Sequence, residues 1–386
     1  MTKSASLFLL APQMYGSWGG VQTYMRRLRE ILCSYANLHE SNCLSISLVD
    51  ESEQAELHAR PVRQSFRCCS GSKFAFVRES LVAAWANRGG FAVVGHLGLA
   101  PIALLLRQAG LIRGYMLILH GMEAWERVSW LKREAAFHAD AIVATTQFTG
   151  REFARSNDLP QDRLRVIALA LEDNEAEPVK PAKSSGDFVL LAVSRLSTPD
   201  QYKGIDTVIR AVGLLRRDAL PVTLRIVGSG DDQLRLRRIA HELGVEDRVE
   251  FLGSVEQHGL AKQYAECDVF TLPSSKEGFG IVFLEAMRHG KPCIGARHGG
   301  IPEVIGDGVD GYLVDYGDAV QVAARVRELW KHPEQTEAMG LAARRKIAGR
   351  YCFHRMQNEW FHLLDEALAQ HFPARAAARI SKSCAE

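Results

Sequence analysis

The chain has 386 residues, 47 Lys and Arg against 45 Asp and Glu, 47% hydrophobic and 24% charged residues. At about 150 residues per domain that length asks for two domains, and the composition excludes a wholly disordered chain. A formal charge of +2 gives no electrostatic footprint for nucleic acid, and none is expected as a partner.

The apolar opening at 7–10 runs into Pro12, lacks a basic-then-apolar leader pattern and is too short to span a bilayer, so 6–11 reads as a buried strand. A glycine-rich loop, Gly16-Ser17-Trp18-Gly19-Gly20, leads into a helix. Its apolar face carries Val21, Tyr24, Met25, Leu28, Ile31, Leu32 and Tyr35, with Arg26, Arg27, Arg29 and Glu30 largely opposite. Those arginines suit a solvated helix face or an approach to a phosphorylated lipid. Further strands are expected at 45–49, 91–94, 115–119 and 141–144, with helices over 97–108 and 129–137; the region 52–72 shows no clean periodicity. Segment 172–186, with Pro178 and Pro181, reads as a linker.

After it the pattern restarts. Strands are expected at 188–193, 222–227, 249–252 and 269–272, with helices at 205–215, 233–243 and 258–267 and a loop over 195–204. A helix-rich tract runs from about 320 through 341–347 to 368, and the Ala-rich tail beyond Pro373 is expected to be mobile. Short strands alternating with longer helices predict two doubly wound, Rossmann-like α/β domains. The eight cysteines (33, 43, 68, 69, 267, 293, 352 and 384) form no CxxC pair and no zinc-ligand series, which fits a reducing cytoplasm. No apolar run reaches the ~18 residues of a membrane span, so any membrane contact is expected to be peripheral. Trp125 and Trp130 make no repeated base-stacking pattern.

The densest chemical signal is Glu277-Gly278-Phe279-Gly280-Ile281-Val282-Phe283-Leu284-Glu285. The preceding turn and the two glycines put Glu277 in a loop, whereas the run after Gly280 is helical. The two carboxylates therefore do not form one helical face pair. A loop carboxylate can accept sugar hydroxyls, the N–H groups at a helix start can face phosphate, and Glu285, two turns on, could accept the hydroxyls of a ribose. The plain alternative is two solvated glutamates. Arg195 and Lys203 follow a strand end, where they suit a diphosphate or ordinary surface exposure. Gly228-Ser229-Gly230 permits close approach to a cofactor, but Gln233 stands where a dinucleotide fingerprint has its third glycine. Gly299-Gly300-Ile301-Pro302-Glu303 follows another strand end, and Gly19-Gly20 opens the first helix. His120-Gly121 sits at a strand end, where the imidazole suits a sugar hydroxyl or a structural hydrogen bond. His96 reads as a loop hydrogen bond. Glu123 and Glu126 suit acceptor hydroxyls or the cap of a helix beginning near Trp125.

The Glu277 to Glu285 run resembles the E-x7-E motif of the large retaining glycosyltransferase family usually numbered four, Gly278, Phe279 and Gly280 included. Arg195, Lys203-Gly204, Gly299 to Glu303 and the opening Gly19-Gly20 match the same family, and the resemblance covers nearly the whole chain. It implies a GT-B fold: an acceptor-side Rossmann-like domain at 1–178, a nucleotide-sugar domain at 184–350, a segment 351–386 crossing back, and an interdomain cleft. It implies a hexosyltransferase moving sugar from GDP-mannose, UDP-glucose or a UDP-N-acetylhexosamine to a hydroxyl acceptor with retention, in envelope glycan or exopolysaccharide synthesis. In that reading His120, Arg195, Lys203 and Glu277 serve the reaction. The donor is held by Gly19, Gly20, Gly228, Gly278, Phe279, Gly280, Ile281, Val282 and Glu285, with 253–258 near the base. No cofactor or required metal is implied. A lipid-linked glycan acceptor and a cytoplasmic site at the inner membrane face are expected. A phosphorylase, a nucleotide-sugar epimerase and a non-catalytic nucleotide-sugar sensor are the alternatives.

Overall fold

The computed structural model describes residues 5–16, 19–51, 64–171 and 186–372. The expected linker at 172–186, apart from Gly186, and the tail beyond Pro373 lie outside the described residues, as do Ser17 and Trp18. The chain divides into two compact units, Leu171–Cys352 and the remainder, so that the segment from Phe353 onward groups with the N-terminal unit. Leu171, where the chain enters the second unit, pairs with Cys352, where it leaves.

The first unit contains β1 (Leu7–Ala11), α1 (Gly20–Leu38), β2 (Cys43–Ser47), β3 (Gln64–Cys68), α2 (Lys73–Ala86), β4 (Gly90–Val94), α3 (Ala100–Gln108), β5 (Ile112–Leu119), α4 (Trp130–Phe137), β6 (Ala141–Ala144), α5 (Gln147–Asn157) and β7 (Leu164–Val166). All strand pairs are parallel, in the order β3-β2-β1-β4-β5-β6-β7. Every residue of β1, β4 and β6 is buried, as expected of strands covered by helices on both faces. Helix α1 buries the expected stripe, Val21 excepted, which is half-buried.

Three local expectations change. The strand at 45–49 runs instead over Cys43–Ser47: the Leu48 amide makes the closing bond of the ladder, to the Ala11 carbonyl, and β1 itself ends before Pro12, so Leu48 and Val49 lie beyond the paired register. The unassigned region holds the polar edge strand β3, in which only Phe66 is buried. No helix starts near Trp125; a single 3-10 turn, Met122–Ala124, precedes α4.

The second unit contains β8 (Phe188–Val193), α6 (Ile205–Arg217), β9 (Val222–Val227), α7 (Gln233–Glu242), β10 (Val249–Gly253), α8 (Gln257–Glu266), β11 (Val269–Leu272), α9 (Ile281–Arg288), β12 (Cys293–Ala296), α10 (Ile301–Val304), β13 (Gly311–Val314), α11 (Ala319–Lys331) and α12 (Pro333–Arg350). Its parallel order is β10-β9-β8-β11-β12-β13. The expected loop at 195–204 is tightened by a 3-10 turn, Thr198–Lys203, which ends on Gly204.

In each sheet the first strand lies in the interior and the chain builds outward on one side before returning to the other. The strand order reverses between β1 and β4 in the first unit and between β8 and β11 in the second. Loops leaving the carboxyl ends of two neighbouring strands diverge at such a point, which leaves room for a ligand.

Helix α13 (Phe353–His371) belongs to the first unit, where Met356, Trp360, Leu363, Leu364, Ala367 and Leu368 are buried. It packs on α1, the Tyr35 hydroxyl donates to Asp365, and Arg27 lies 5.9 Å from the Phe353 ring centroid. Trp360 is fully buried. Trp360→Ala is therefore expected to cost about 3–5 kcal/mol, through lost burial and the cavity left behind. Urea unfolding followed by circular dichroism measures this, and a cost below about 1 kcal/mol would show that α13 is not part of the first core.

Candidate functional site

In the second unit Lys203 and Glu277 arrive from the two strands that flank the reversal. Lys203 closes the 3-10 turn after β8, and Glu277 lies in the loop between β11 and α9. Their side chains form an ion pair, Nζ to Oε2 at 2.5 Å, with 19% and 15% of the respective side chains exposed. The backbones are joined as well, since the Ser275 amide donates to the Tyr202 carbonyl at 2.9 Å. From the next strand, β12, the Gly300 amide donates to the Glu277 carbonyl at 2.8 Å. A Cβ on Gly299, whose φ is +62°, would stand 2.5 Å from that same carbonyl oxygen. The glycine pair at 299–300 thus holds the Glu277 loop by close backbone approach.

Arg195 lies in the loop directly after β8. Its side chain is 81% exposed and meets the buried Asp200 carboxylate at 3.3 Å. Asp200 also accepts from the hydroxyls of Ser197 and Tyr202. The Gly228-Ser229-Gly230 turn is stitched to this loop, with the Leu196 amide donating to the Ser229 carbonyl. A Cβ at Gly228, φ +134°, would fall 1.8 Å from the Ser194 oxygen. Gly228 therefore brings two backbones together and shapes the Arg195 loop.

Gly280 caps α9 in the left-handed region, at φ +85°, and supplies no side-chain cap. The first-turn amides of Ile281 and Val282 have no earlier helical carbonyl to bond, and the helix dipole makes that end attractive to an anion. The Phe279 side chain turns away into the unit, buried edge-on against Tyr351 at 5.8 Å, so any ligand contact at Gly278 and Phe279 falls to the backbone. Glu285 lies inside α9. Tyr264 from α8, itself buried, donates its hydroxyl to Glu285 Oε2 at 2.8 Å. Burial raises the Glu285 carboxyl above its ordinary 4.5, partly opposed by the Tyr264 hydrogen bond and by Arg288. His289 stacks on Tyr264; burial and the cations Arg288, Lys291 and Arg344 lower it to about 4.

In the first unit the reversal lies between β1 and β4. Gly19 and Gly20 open α1 without a side-chain cap. The preceding loop is tied down by Asp50, a buried carboxylate that accepts from the Met14 and Tyr15 amides at 2.8 and 3.0 Å. His120 follows β5, and its Nε2 lies 2.8 Å from the Gly95 carbonyl. A carbonyl can only accept, so Nε2 carries the proton. Burial lowers the His120 pKa, and the neutral ring presents Nδ1 as an acceptor. The Glu123 carboxylate accepts from the His120 amide at 2.6 Å, which makes it a loop brace, and there is no helix at Trp125 for it to cap. His96 accepts from the Gly98 amide through Nδ1 at 2.9 Å, the expected loop hydrogen bond. The α1 arginines are engaged within the unit: Arg26 donates to the Met14 carbonyl, Arg27 pairs with Glu30, and Arg29 lies over Phe66. Among the described residues no group of three His, Cys, Asp or Glu side chains is placed to hold a metal ion.

Asp50, Asp200 and Tyr264 escaped the sequence reading. Each is a single polar residue without a motif, and only its buried hydrogen bonds reveal its part. Gly299→Ala tests the brace on Glu277. A methyl in the left-handed region, pressed against the Glu277 carbonyl, is expected to cost about 1–3 kcal/mol and to displace the Glu277 loop. Thermal melting and the binding of nucleotide sugars measure the two effects, and an unchanged melting temperature would remove the brace.

Residues 173–346 match the family of glycosyl transferases group 1. The chain is 32% identical over 267 residues to a GDP-mannose-dependent alpha-(1-6)-phosphatidylinositol monomannoside mannosyltransferase of Mycolicibacterium smegmatis, covering 64% of this chain and 69% of that protein. It is 28% identical over 271 residues to a putative colanic acid biosynthesis glycosyltransferase, WcaL, of Salmonella typhimurium, covering 66% of this chain and 65% of that one. The crystal structure of Anabaena HepE in complex with UDP-glucose shares the fold, with a TM-score of 0.76 and 20% identity over 94% of this chain and 99% of that one. With its two Rossmann-like units this chain has the GT-B fold, and it belongs to the glycosyl transferases group 1 family as a glycosyltransferase.

Proposed function

We propose that the chain transfers a hexosyl residue from a nucleotide diphosphate sugar to a hydroxyl of a glycan acceptor, with retention of the α configuration. The observation that carries the reading is the Lys203–Glu277 ion pair at the strand-order reversal, beside the uncapped start of α9. One cation, one carboxylate and a row of amide donors are what a sugar diphosphate asks of a protein. Lys203 and Arg195 offset the charge that develops on the leaving diphosphate, and the Ile281 and Val282 amides add donors at the helix start. Glu277 accepts from sugar hydroxyls and is kept in place by Lys203. Glu285 accepts from the ribose, and His120, through Nδ1, accepts from a sugar hydroxyl.

The bond from C1 to the phosphate oxygen breaks as the acceptor oxygen forms its bond to C1 on the same face. The acceptor proton passes to a phosphate oxygen of the leaving group. No protein nucleophile is needed, and protein cations with backbone donors meet the leaving charge without a required metal. The mannosyltransferase and the colanic acid relative support a lipid-linked or envelope-polysaccharide acceptor, and we propose that the reaction takes place on the cytoplasmic side. GDP-mannose, UDP-glucose and UDP-N-acetylhexosamine are the donors to test.

A donor panel with lipid-linked and soluble acceptors is expected to give nucleotide release matched mole for mole by an α-linked product. Lys203→Ala and Glu277→Gln, shown to melt normally, are expected to lower kcat/KM by about 10²–10³-fold. Sugar phosphate as co-product would identify a phosphorylase, an inverted product would end the retaining mechanism, and binding without turnover across the panel would identify a sensor.

The Tyr264–Glu285 contact makes a separate pH prediction. Ribose binding needs the ionised carboxylate, so donor affinity is complete above the raised Glu285 pKa and falls as pH drops through it. Tyr264→Phe removes a hydrogen bond that favours the ionised form, so the acid limb of affinity against pH is expected to move to higher pH and converge with wild type in alkaline solution. Calorimetric titration with free nucleotide checks this, and superimposable profiles would remove Glu285 from ribose binding.

A further inference from the structure

Helices α2, α3 and α4 cover one face of the first sheet. The strand residues that meet them alternate, Ala92 and Val94 on β4 and Tyr115, Leu117 and Leu119 on β5, and all belong to one buried cluster with Phe76, Ala103 and Ala135 from the three helices. Helix α3 packs against both α2 and α4, so the outward sides of the three helices adjoin. Those outward sides are rich in large apolar groups. On α2 the buried Phe76, Ala83 and Ala84 are opposed by Phe74, 79% exposed, and Trp85, 63% exposed, with Val82 between them. A helix apolar on both sides has a second face still to cover. Exposed Leu105 on α3, and Trp130, at 73%, with Leu131 and Phe137 on α4, continue the surface.

The same segments are basic in an otherwise balanced chain. Residues 73–88 hold three Lys and Arg, 100–108 one and 127–137 three, which makes seven against Glu79 and Glu134 in the same segments, and against Asp140 and Asp158, which stand 3.5–3.9 Å from Arg107 and from Arg127 and Arg133. Glu79 is already paired with Arg67 and Arg78, and Glu134 accepts from His138. The Arg88 guanidinium lies 3.6 Å from the Trp85 ring centroid, so cation and aromatic ring form one amphipathic unit. Aromatic rings interleaved with long-stemmed cations match the boundary between acyl chains and anionic headgroups, where the ring enters the apolar layer and the charge stays with the phosphate.

We propose that the outer face of α2, α3 and α4 docks the protein on an anionic lipid surface. This face is separate from the α1 arginines, which are engaged within the unit, and the docking does not depend on the chemistry of the site. Phe74, Trp85 and Trp130 enter the interfacial layer, and the surrounding cations supply the preference for negative lipid.

The test is flotation of the full chain with vesicles of mixed phosphatidylglycerol and phosphatidylcholine, against vesicles of phosphatidylcholine alone. Wild type is expected to float with the anionic vesicles and to be released by salt. The triple variant Phe74→Ser, Trp85→Ser, Trp130→Ser is expected to lose about tenfold or more of that partitioning while keeping its circular dichroism and melting temperature. A second variant, Arg78→Glu with Lys132→Glu, is expected to abolish the preference for phosphatidylglycerol and leaves a reading if the first does not fold. Wild type that stays unbound with anionic vesicles, or a folded triple variant that floats as well as wild type, overturns the proposal. A wild-type dimer that sediments as monomer once the three aromatics are replaced, without flotation of either, would assign the face to a second copy of the chain and equally overturn it.

Discussion

Lys203 and Glu277 are 74 residues apart in sequence, and the reversal of strand order between β8 and β11 is what brings them together. Parallel strands all present their carboxyl ends on one edge, so every loop leaving that edge could contribute to a site. Loops from strands on the same side of the reversal lead into helices that pack beside one another and close the space above the sheet. Only at the reversal do neighbouring loops turn apart. A lysine from one side and a glutamate from the other then meet in the gap, and each screens the other's charge in a half-buried position. Without the pairing, either charge would stand partly desolvated near the uncapped end of α9.

The glycines of this region act mostly on other backbone. Gly299 grips the Glu277 loop and Gly228 the Arg195 loop, each at a distance that excludes a side chain, and Gly300 adds its amide hydrogen bond to the Glu277 carbonyl. The motifs that look like ligand contacts in the sequence are thus, in good part, fasteners between loops of successive strands. That arrangement suits a site whose charges must be in place before a ligand arrives, because the ordering of loops has been met during folding and is not charged against binding. Asp50 does comparable work in the first unit, where two amides of the loop after β1 converge on a single buried carboxylate.

Strands with continuous apolar runs and helices with a regular stripe were legible from residue order alone, as β6, β8, β9 and β11 show. The edge strand β3 was not, because an edge has one neighbour and little need of apolar residues on both faces; Phe66 is its one buried side chain. The end of β2 was misplaced because Leu48 and Val49 continue the apolar run after the ladder has ended. At the site, Lys203, Glu277, Glu285 and His120 could be singled out through motif and strand-end position. Their partners could not, because the donors and acceptors that hold them, Tyr264 to Glu285 and the Gly95 carbonyl to His120, are fixed by tertiary placement and leave no spacing in the sequence.

Net charge misleads for a related reason. A sum of +2 describes a field seen from far away, beyond the ~8 Å over which salt screens exposed charges at physiological strength. A surface that meets a partner at contact distance responds to the charges within that radius. On α2, α3 and α4 these are mostly lysines and arginines, and two of the few carboxylates nearby already have partners of their own. Asp140 and Asp158 reach Arg107, and Arg127 with Arg133, from neighbouring loops, so the cations at this face are in excess but not unopposed. The same sequence can therefore be electrically unremarkable as a whole and carry a local excess of cations where its tryptophans are exposed, with Arg88 seated on Trp85, and it is this local balance, together with the uncovered apolar side of α2, that decides what this face can bind.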